Sequence, residues 1–362
     1  MRHDTDQTVA EQAVAERIAA WQQRRSQDSG ADPFALMAEA GLFAIGLPGT
    51  NAALDSYHAI ARADHAIAAV TGELGLAMAF SARQLTARFF IGGFADQAQR
   101  EQWLPRIAAG QQWAAIAISE PGAGAHPKHL QTSAEITADG VRLRGRKAFI
   151  TNGPVADLFL VLAIVAIDDG RKRYGLFVVP RGTPGLLVTP MPSLDVLAPA
   201  SHGELSFDDC LLPPSARIGT MADAYPAMAL PFRDLEDTIA TSGTAGFLTW
   251  LLRLAAQRSP RGDDDALALG RLAGLLALID AASQQAVQAL DHAEPAVPAR
   301  LIGVRDLART ITTELRTMLA AQPADSALER KLAAFDLLAG IAREPRRLRQ
   351  ISLGQSLWSE QQ

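Results

Sequence analysis

Cysteine is nearly missing from this chain of 362 residues, which carries only Cys210. No disulfide can form within the chain, and no thiolate metal cluster can be built. The seven histidines include no i,i+4 pair around an acid, so the helical zinc-hydrolase pattern is missing too. No charge sign dominates: 34 Lys and Arg stand against 39 Asp and Glu, for a formal net charge of -5. A dedicated nucleic-acid binder would carry a basic face, so that class is excluded. The longest apolar run, 158–167, has ten residues, about half the length of a membrane-spanning helix. The first twelve residues are polar and hold no apolar h-region, so no secretory signal is read there. With 48% hydrophobic and 20% charged residues, the composition is that of a globular protein and not of a disordered chain. The expectation is a cytoplasmic protein of two or three domains, without nucleic-acid or membrane partners.

The texture of the chain changes twice. Residues 9–109 read as helix, rich in Ala, Leu, Glu, Gln and Arg, with apolar side chains at helical spacing as in Phe34, Leu36, Met37 and Ala40. Gly41 reads as a helix stop. Residues 46–51 read as a loop, 52–90 as a long apolar helix with one interruption, and 97–108 as a short amphipathic helix after a Gly-rich break. From Trp113 the pattern becomes short β-runs between Gly, Pro and Asp turns, with candidate strands at 113–119, 132–137, 140–150, 158–167, 174–179, 186–190 and 203–207. No helix intervenes, which predicts an antiparallel sheet closed as a small barrel or sandwich. From Asp223 helix returns at 225–257, 267–291, 300–321 and 326–341, which predicts an antiparallel four-helix bundle. The fold expected is an α+β multidomain chain. It has an N-terminal α-helical domain (1–112), a middle antiparallel β-barrel (113–222) and a C-terminal helical bundle (223–362).

Two strand ends carry the chemical signal. Ser119-Glu120-Pro121-Gly122 is not a nucleophile elbow, and Gly122-Ala123-Gly124 lacks the third glycine of a dinucleotide fingerprint. However, Ser119 closes a strand and opens a Pro-Gly turn with exposed backbone N–H groups, suited to a phosphate or a planar heterocycle. The stretch Gly145-Arg146-Lys147-Ala148-Phe149-Ile150-Thr151-Asn152-Gly153 again runs from strand into turn, again with an aromatic and a hydroxyl at its end. Two hydroxyls at two strand ends suggest one ligand held across the mouth of the sheet. Two ordinary β-turns would read the same way.

These segments, taken together, resemble the acyl-CoA dehydrogenase family of FAD enzymes. The resemblance is densest between Phe34 and Asp209. It rests on 36–48 (LMAEAGLFAIGLP), on 99–110 (QREQWLPRIAAG), on the two motifs above, and on 203–213 (GELSFDDCLLP). The family's fold is a helical domain, a β-barrel and a four-helix bundle, in the order read from periodicity. The resemblance implies FAD as cofactor, an acyl-CoA substrate oxidised between Cα and Cβ, an electron-transfer flavoprotein as acceptor, and a homodimer or homotetramer. It places Ser119 and Ile118 along the flavin ring, Gly124 in the phosphate-side loop, Phe149 where the family has a ring-shielding Trp, and Thr151 near flavin N5. Ala125 and His126 stand at the family's Ser and Asp positions, next to substrate. Arg258 stands where an arginine reaches the flavin pyrophosphate, with Arg261 in place of the family's Phe and Leu269 in place of its Gln. No metal ligand is implied. The C-terminal Tyr-Glu-Gly motif that carries the base in many members is missing. Asp234-Leu235-Glu236-Asp237 matches the alternative D-L-E-R register, which makes Glu236 the candidate base. Asp237 replaces an arginine associated with CoA. Two other readings stand beside this one: a flavin oxidase or monooxygenase of the same fold, and a member that has lost catalysis.

Overall fold

The computed structural model describes residues 2–28, 30–220, 223–294, 298–320, 323 and 325–359. The chain divides into two compact units. One holds residues 1–59 and 79–236, and the other holds 60–78 and 237–362.

In the first unit, helices α1 (Arg2–Gln27) and α2 (Pro33–Glu39) lead into the motif-bearing sheet. α2 begins where the sequence dictates. Asp32 accepts the Phe34 N–H at 3.0 Å, and Pro33 fills the first turn, where no backbone donor is needed. Gly41 ends it with φ +71°, as its stop signal requires. The helix expected over 52–90 with one interruption is α3 (Tyr57–Thr71) and α4 (Leu74–Leu85), continued by a π-helical stretch from Thr86 to Gly92. The break is Gly72, at φ +65°, where a Cβ would lie 2.4 Å from the Trp250 ring within the second unit. α5 (Gln97–Ala108) starts with a reciprocal cap between Asp96 and Gln99.

The sheet has eight strands: β1 (Ala114–Ala117), β2 (Ser133–Thr137), β3 (Gly140–Thr151), β4 (Leu158–Asp168), β5 (Arg171–Pro180), β6 (Leu186–Pro190), β7 (His202–Leu212) and β8 (Arg217–Ile218). The pairing order is β6-β7-β3-β2-β4-β5-β8, with β1 on β4. Among the described residues the order runs from β6 to β8, and these strands form the middle β-domain expected between the two helical regions. β1 pairs with β4 in parallel, and β2 meets β4 in parallel at one position, against the all-antiparallel expectation. The β2–β3 hairpin lies between β1 and β4 in sequence and supplies the crossover that a helix supplies elsewhere. The sheet wraps one apolar core, including Leu143, Ile150, Phe159, Phe177, Leu205 and Phe207. β3 carries one extra residue against β7 between Lys147 and Ile150, and Phe149 in that bulge adopts φ +61°.

The start of β1 is fixed by a buried cation. The Arg83 guanidinium donates to the Ile107 carbonyl and, at 3.1 Å, to that of Gln112. It lies 3.9 Å from the Phe43 ring centroid and 5.0 Å from that of Trp113. Burial lowers its pKa to about 9, with Asp157 acting in the opposite sense. Asp157 accepts the Trp113 N–H at 2.7 Å.

The second unit contains most of α6 (Leu230–Arg258), together with α7 (Asp263–Asp291), α8 (Pro298–Ala320), α9 (Ser326–Gly340) and α10 (Arg343–Ser359). Four helices were expected, so α10 is an addition. Its charge-rich first half, Arg343 to Arg349, hides the apolar spacing of Leu348, Ile351 and Leu357. One helix among the described residues, Asp263–Asp291, is long and apolar enough to cross a membrane, and 22% of its most apolar stretch is buried.

Candidate functional site

The two motifs meet at one end of the sheet. The Ala148 N–H donates to the Ser119 carbonyl at 3.0 Å, which ties the end of β1 to β3. The turn after Ser119 is closed on itself. Glu120 and Gly124 exchange both backbone hydrogen bonds, at 2.9 and 3.0 Å, and Gly122 and Gly124 take φ of +72° and +56°. A Cβ at either glycine would meet open space, so their conformation and not crowding by this chain requires glycine there. Two tyrosines hold the loop further on. Tyr225 donates its hydroxyl to the Ala125 carbonyl at 2.9 Å, and Tyr174 donates to that of Pro127 at 2.5 Å. Ala125 and His126 are exposed, and the His126 ring lies 4.8 Å from that of His129.

Beneath this surface is a buried ion pair that motif reading does not single out. Lys147 Nζ donates to Glu120 Oε1 at 2.9 Å and to the Ile118 carbonyl at 2.9 Å. Glu120 also accepts the backbone N–H of Thr132 at 2.9 Å and of Gln131 at 2.7 Å. The Thr132 hydroxyl donates to the Arg146 carbonyl. Burial lowers the Lys147 pKa to about 8, against the pull of Glu120. Burial raises Glu120, but Lys147 and the Thr132 hydrogen bonds more than offset this and leave its pKa below the ordinary value. Because every strong acceptor of Glu120 is engaged, its role is to hold the two motifs in register. Its sequence signal is an acid in one motif and a base in the other, both at positions that turn toward the core.

The remaining groups face outward. Ser119 and Thr151 are half-buried, and among the described residues neither hydroxyl has a hydrogen-bond partner. Phe149 is 53% exposed although it is a large aromatic, and its N–H is held by the Met191 sulfur at 3.4 Å. Asn152, at φ +62°, is tied down through its side-chain amide to the Ala79 carbonyl at 2.9 Å. Two uncommitted hydroxyls and an exposed ring on a rigid framework can hold a flat polar heterocycle, by donation at its edge and stacking on its face. The donor set therefore fits a flavin.

Glu236 lies in the second turn of α6 and is exposed, so the chain does not itself give it the desolvated setting expected of the base. Asp237, beside it in sequence, is buried. Its carboxylate lies 3.0 Å from each of Arg305, Arg346 and Arg349. Burial raises this carboxyl, and the three arginines more than reverse that and hold its pKa low. Arg258, at the end of α6, is paired with Asp325 at 2.7 Å. Among the described residues no group of three or more His, Cys, Asp and Glu side chains is placed to hold a metal ion.

Two sequence models of one family match the chain. The acyl-CoA dehydrogenase N-terminal domain covers residues 1–111 and the middle domain covers 115–210. A dehydrogenase of L-prolyl peptidyl-carrier protein from Pseudomonas fluorescens is 33% identical over 215 residues, 58% of this chain and 55% of its own length. An acyl-CoA dehydrogenase from Bacillus subtilis is 32% identical over 132 residues, 36% of this chain and 35% of its own. The chain thus matches between about a third and just over half of the length of these curated relatives. Among solved structures, butyryl-CoA dehydrogenase from Megasphaera elsdenii superposes with a TM-score of 0.81 at 19% identity, covering 98% of this chain and 97% of its own. That likeness shows the fold across the full chain, including the helices after residue 210.

Proposed function

The chain belongs to the acyl-CoA dehydrogenase family, and from that premise we propose that it is an FAD-dependent oxidoreductase that desaturates an acyl thioester between Cα and Cβ. The observation that carries this reading is the pair of uncommitted hydroxyls, Ser119 and Thr151, held beside the exposed Phe149 on the buried Glu120–Lys147 framework. When bound there, FAD supplies the acceptor for the hydride that leaves Cβ. Ser119 and Thr151 donate to the polar edge of the ring, Phe149 covers one face, and the 120–124 turn offers backbone N–H groups to the phosphate side. Glu236 takes the proton from Cα, and the substrate that covers it supplies the desolvation a base needs. An electron-transfer flavoprotein is the acceptor in turn, and a second copy of this chain covers the apolar surface that α7 leaves exposed.

The carrier of the acyl group is the point at which a second reading has support. Asp237 stands where the family has an arginine associated with CoA, and its carboxylate is bound up with three arginines of its own unit. The Pseudomonas relative is named for a substrate borne by a peptidyl-carrier protein. A thioester on a carrier protein, rather than on free CoA, suits both facts. The cytoplasm suits a chain whose one cysteine, Cys210, is a buried free thiol.

The test is spectroscopic. Purified protein reconstituted with FAD is expected to show flavin absorbance, and an acyl thioester is expected to bleach it. Glu236→Gln should keep the colour and lose the bleaching. A protein that takes up no FAD would defeat the whole reading, whereas bleaching by Glu236→Gln would remove only the base. Presenting the same acyl group on CoA and on a carrier protein's thiol arm separates the two carriers.

A further inference from the structure

Within the second unit, one carboxylate gathers three cations from two other helices. Asp237 on α6 is buried. Its Oδ1 lies 3.0 Å from Arg305 Nη2 on α8 and 3.0 Å from Arg346 Nη2 on α10, and its Oδ2 lies 3.0 Å from Arg349 Nη2, also on α10. The four groups together carry a surplus of two positive charges. Acids beside these arginines in sequence are committed to other partners: Asp306 lies 3.1 Å from Arg309, and Glu344 lies 2.7 Å from Arg347. The surplus is felt at Arg305. Burial lowers its pKa, Asp237 acts in the opposite sense, and Arg346 and Arg349 add to the lowering. Asp237 is also overcommitted in geometry. Arg346 and Arg349 donate to it, whereas Arg305 Nη2 is close but not aligned for a hydrogen bond. Arg343 and Arg346 stand in the first turn of α10, where the helix dipole favours anions over cations. Half-buried guanidiniums that repel one another are costly to hold together unless a further anion joins them.

We propose that the outer edges of Arg305, Arg346 and Arg349, held together by Asp237, bind a phosphate dianion, either free or as the monoester of a small organic molecule. The three side chains keep 20–27% of their surface in water, so their edges are within reach of a solute. A guanidinium has five N–H donors in a planar fork, and its contact with Asp237 does not exhaust them. Asp237 does the positioning. It draws α8 and α10 arginines to a common point that their repulsion alone would not allow. A phosphate dianion matches the charge that Asp237 leaves over, and its oxygens accept from several forks at once. Chloride has the wrong charge and shape for this. The inference does not rest on the FAD reading.

The test follows the melting temperature of the full chain as inorganic phosphate is titrated. Ionic strength is held constant with sodium chloride, because salt alone screens exposed charges. Phosphate should raise the melting temperature to a plateau, beyond anything chloride does at the same ionic strength. Arg305→Gln should weaken phosphate about tenfold, the loss of one charge-assisted contact. Arg305→Lys keeps the charge without the fork and should fall between the two. Arg349→Gln, at the most exposed of the three arginines, gives the same readout if Arg305→Gln does not fold. Arg309→Gln is the control. It removes an equal charge from α8, at a residue paired with Asp306, and should leave phosphate binding unchanged. Glycerol phosphate separates the two sources: a plateau at lower concentration than inorganic phosphate assigns the site to an ester, and a plateau at the same or higher concentration assigns it to the free ion. Equal effects of phosphate and chloride, or an Arg309→Gln loss as large as that of Arg305→Gln, would overturn the proposal. Neither result touches the FAD reading, and a chain that takes up no FAD leaves this site standing.

Discussion

The sheet end of the first unit and the helices of the second both carry residues that the motif pattern assigns to ligand binding, yet they commit them differently. At the sheet end the charged pair Glu120 and Lys147 is turned inward and satisfied, while Ser119 and Thr151 are left without a partner among the described residues. In the helices the charged groups are the candidates, and they are engaged within the chain: Arg258 with Asp325, and Asp237 with three arginines. A group already paired gains little from a ligand, because it must give up one partner to take another. An uncommitted donor on a rigid support gains the whole interaction. By that measure the sheet end is built to receive a ligand, whereas Arg258 and Asp237 are built to hold helices.

The difference can be broken from the largest effect downward. Lys147→Met leaves Glu120 charged and buried, and should cost about 3–5 kcal/mol in urea unfolding. Adding Glu120→Leu should return part of that loss. Asp237→Asn should cost about 2 kcal/mol, less than the sheet pair, because Arg305, Arg346 and Arg349 keep 20–27% of their side-chain surface in water. Ser119→Ala or Thr151→Val should leave stability nearly unchanged and weaken FAD about tenfold, as read by titration of the apoprotein. Arg258→Gln should be the mildest. If Arg258 serves only Asp325, FAD affinity will not move. If it can be released to a phosphate, Asp325→Asn will tighten FAD and Arg258→Gln will weaken it.

Acid sharpens the same contrast. The Glu120 carboxyl is held below its ordinary value of 4.5 in the folded chain. The unfolded chain therefore takes up the proton first as pH falls. The stability from this carboxylate is complete above about pH 4.5 and is lost as pH drops through the lower folded value. In the same window Glu120→Gln should give a flatter stability profile than wild type, measured by melting temperature from pH 5 to 3.

Much of this was legible beforehand, for a physical reason. Helical spacing and β-runs are local, so the helix–sheet–helix order and the strand run 186–190 follow from the sequence directly. What was not legible depends on partners distant in the chain. β8 is two residues long and exists because β5 lies beside it. The parallel pairing of β1 with β4 needs a register that no local pattern carries. Ser119, Thr151 and Phe149 were readable as motif members. The importance of Glu120 and Lys147 was harder to read, because the acid of one motif and the base of the other lie 27 residues apart and only their shared turn toward the core signals that they meet.

The surplus residue at Phe149 decides which side of the sheet each motif residue serves. Lys147 and Thr151 are four apart, and in an unbroken strand both would project the same way. Instead Lys147 pairs with Leu205 and Thr151 with His202, three positions apart on β7, so the two point to opposite sides. A single added residue thus lets one strand anchor itself inside and offer a hydroxyl outside. Excising that residue would flip Thr151 inward although its identity stayed the same.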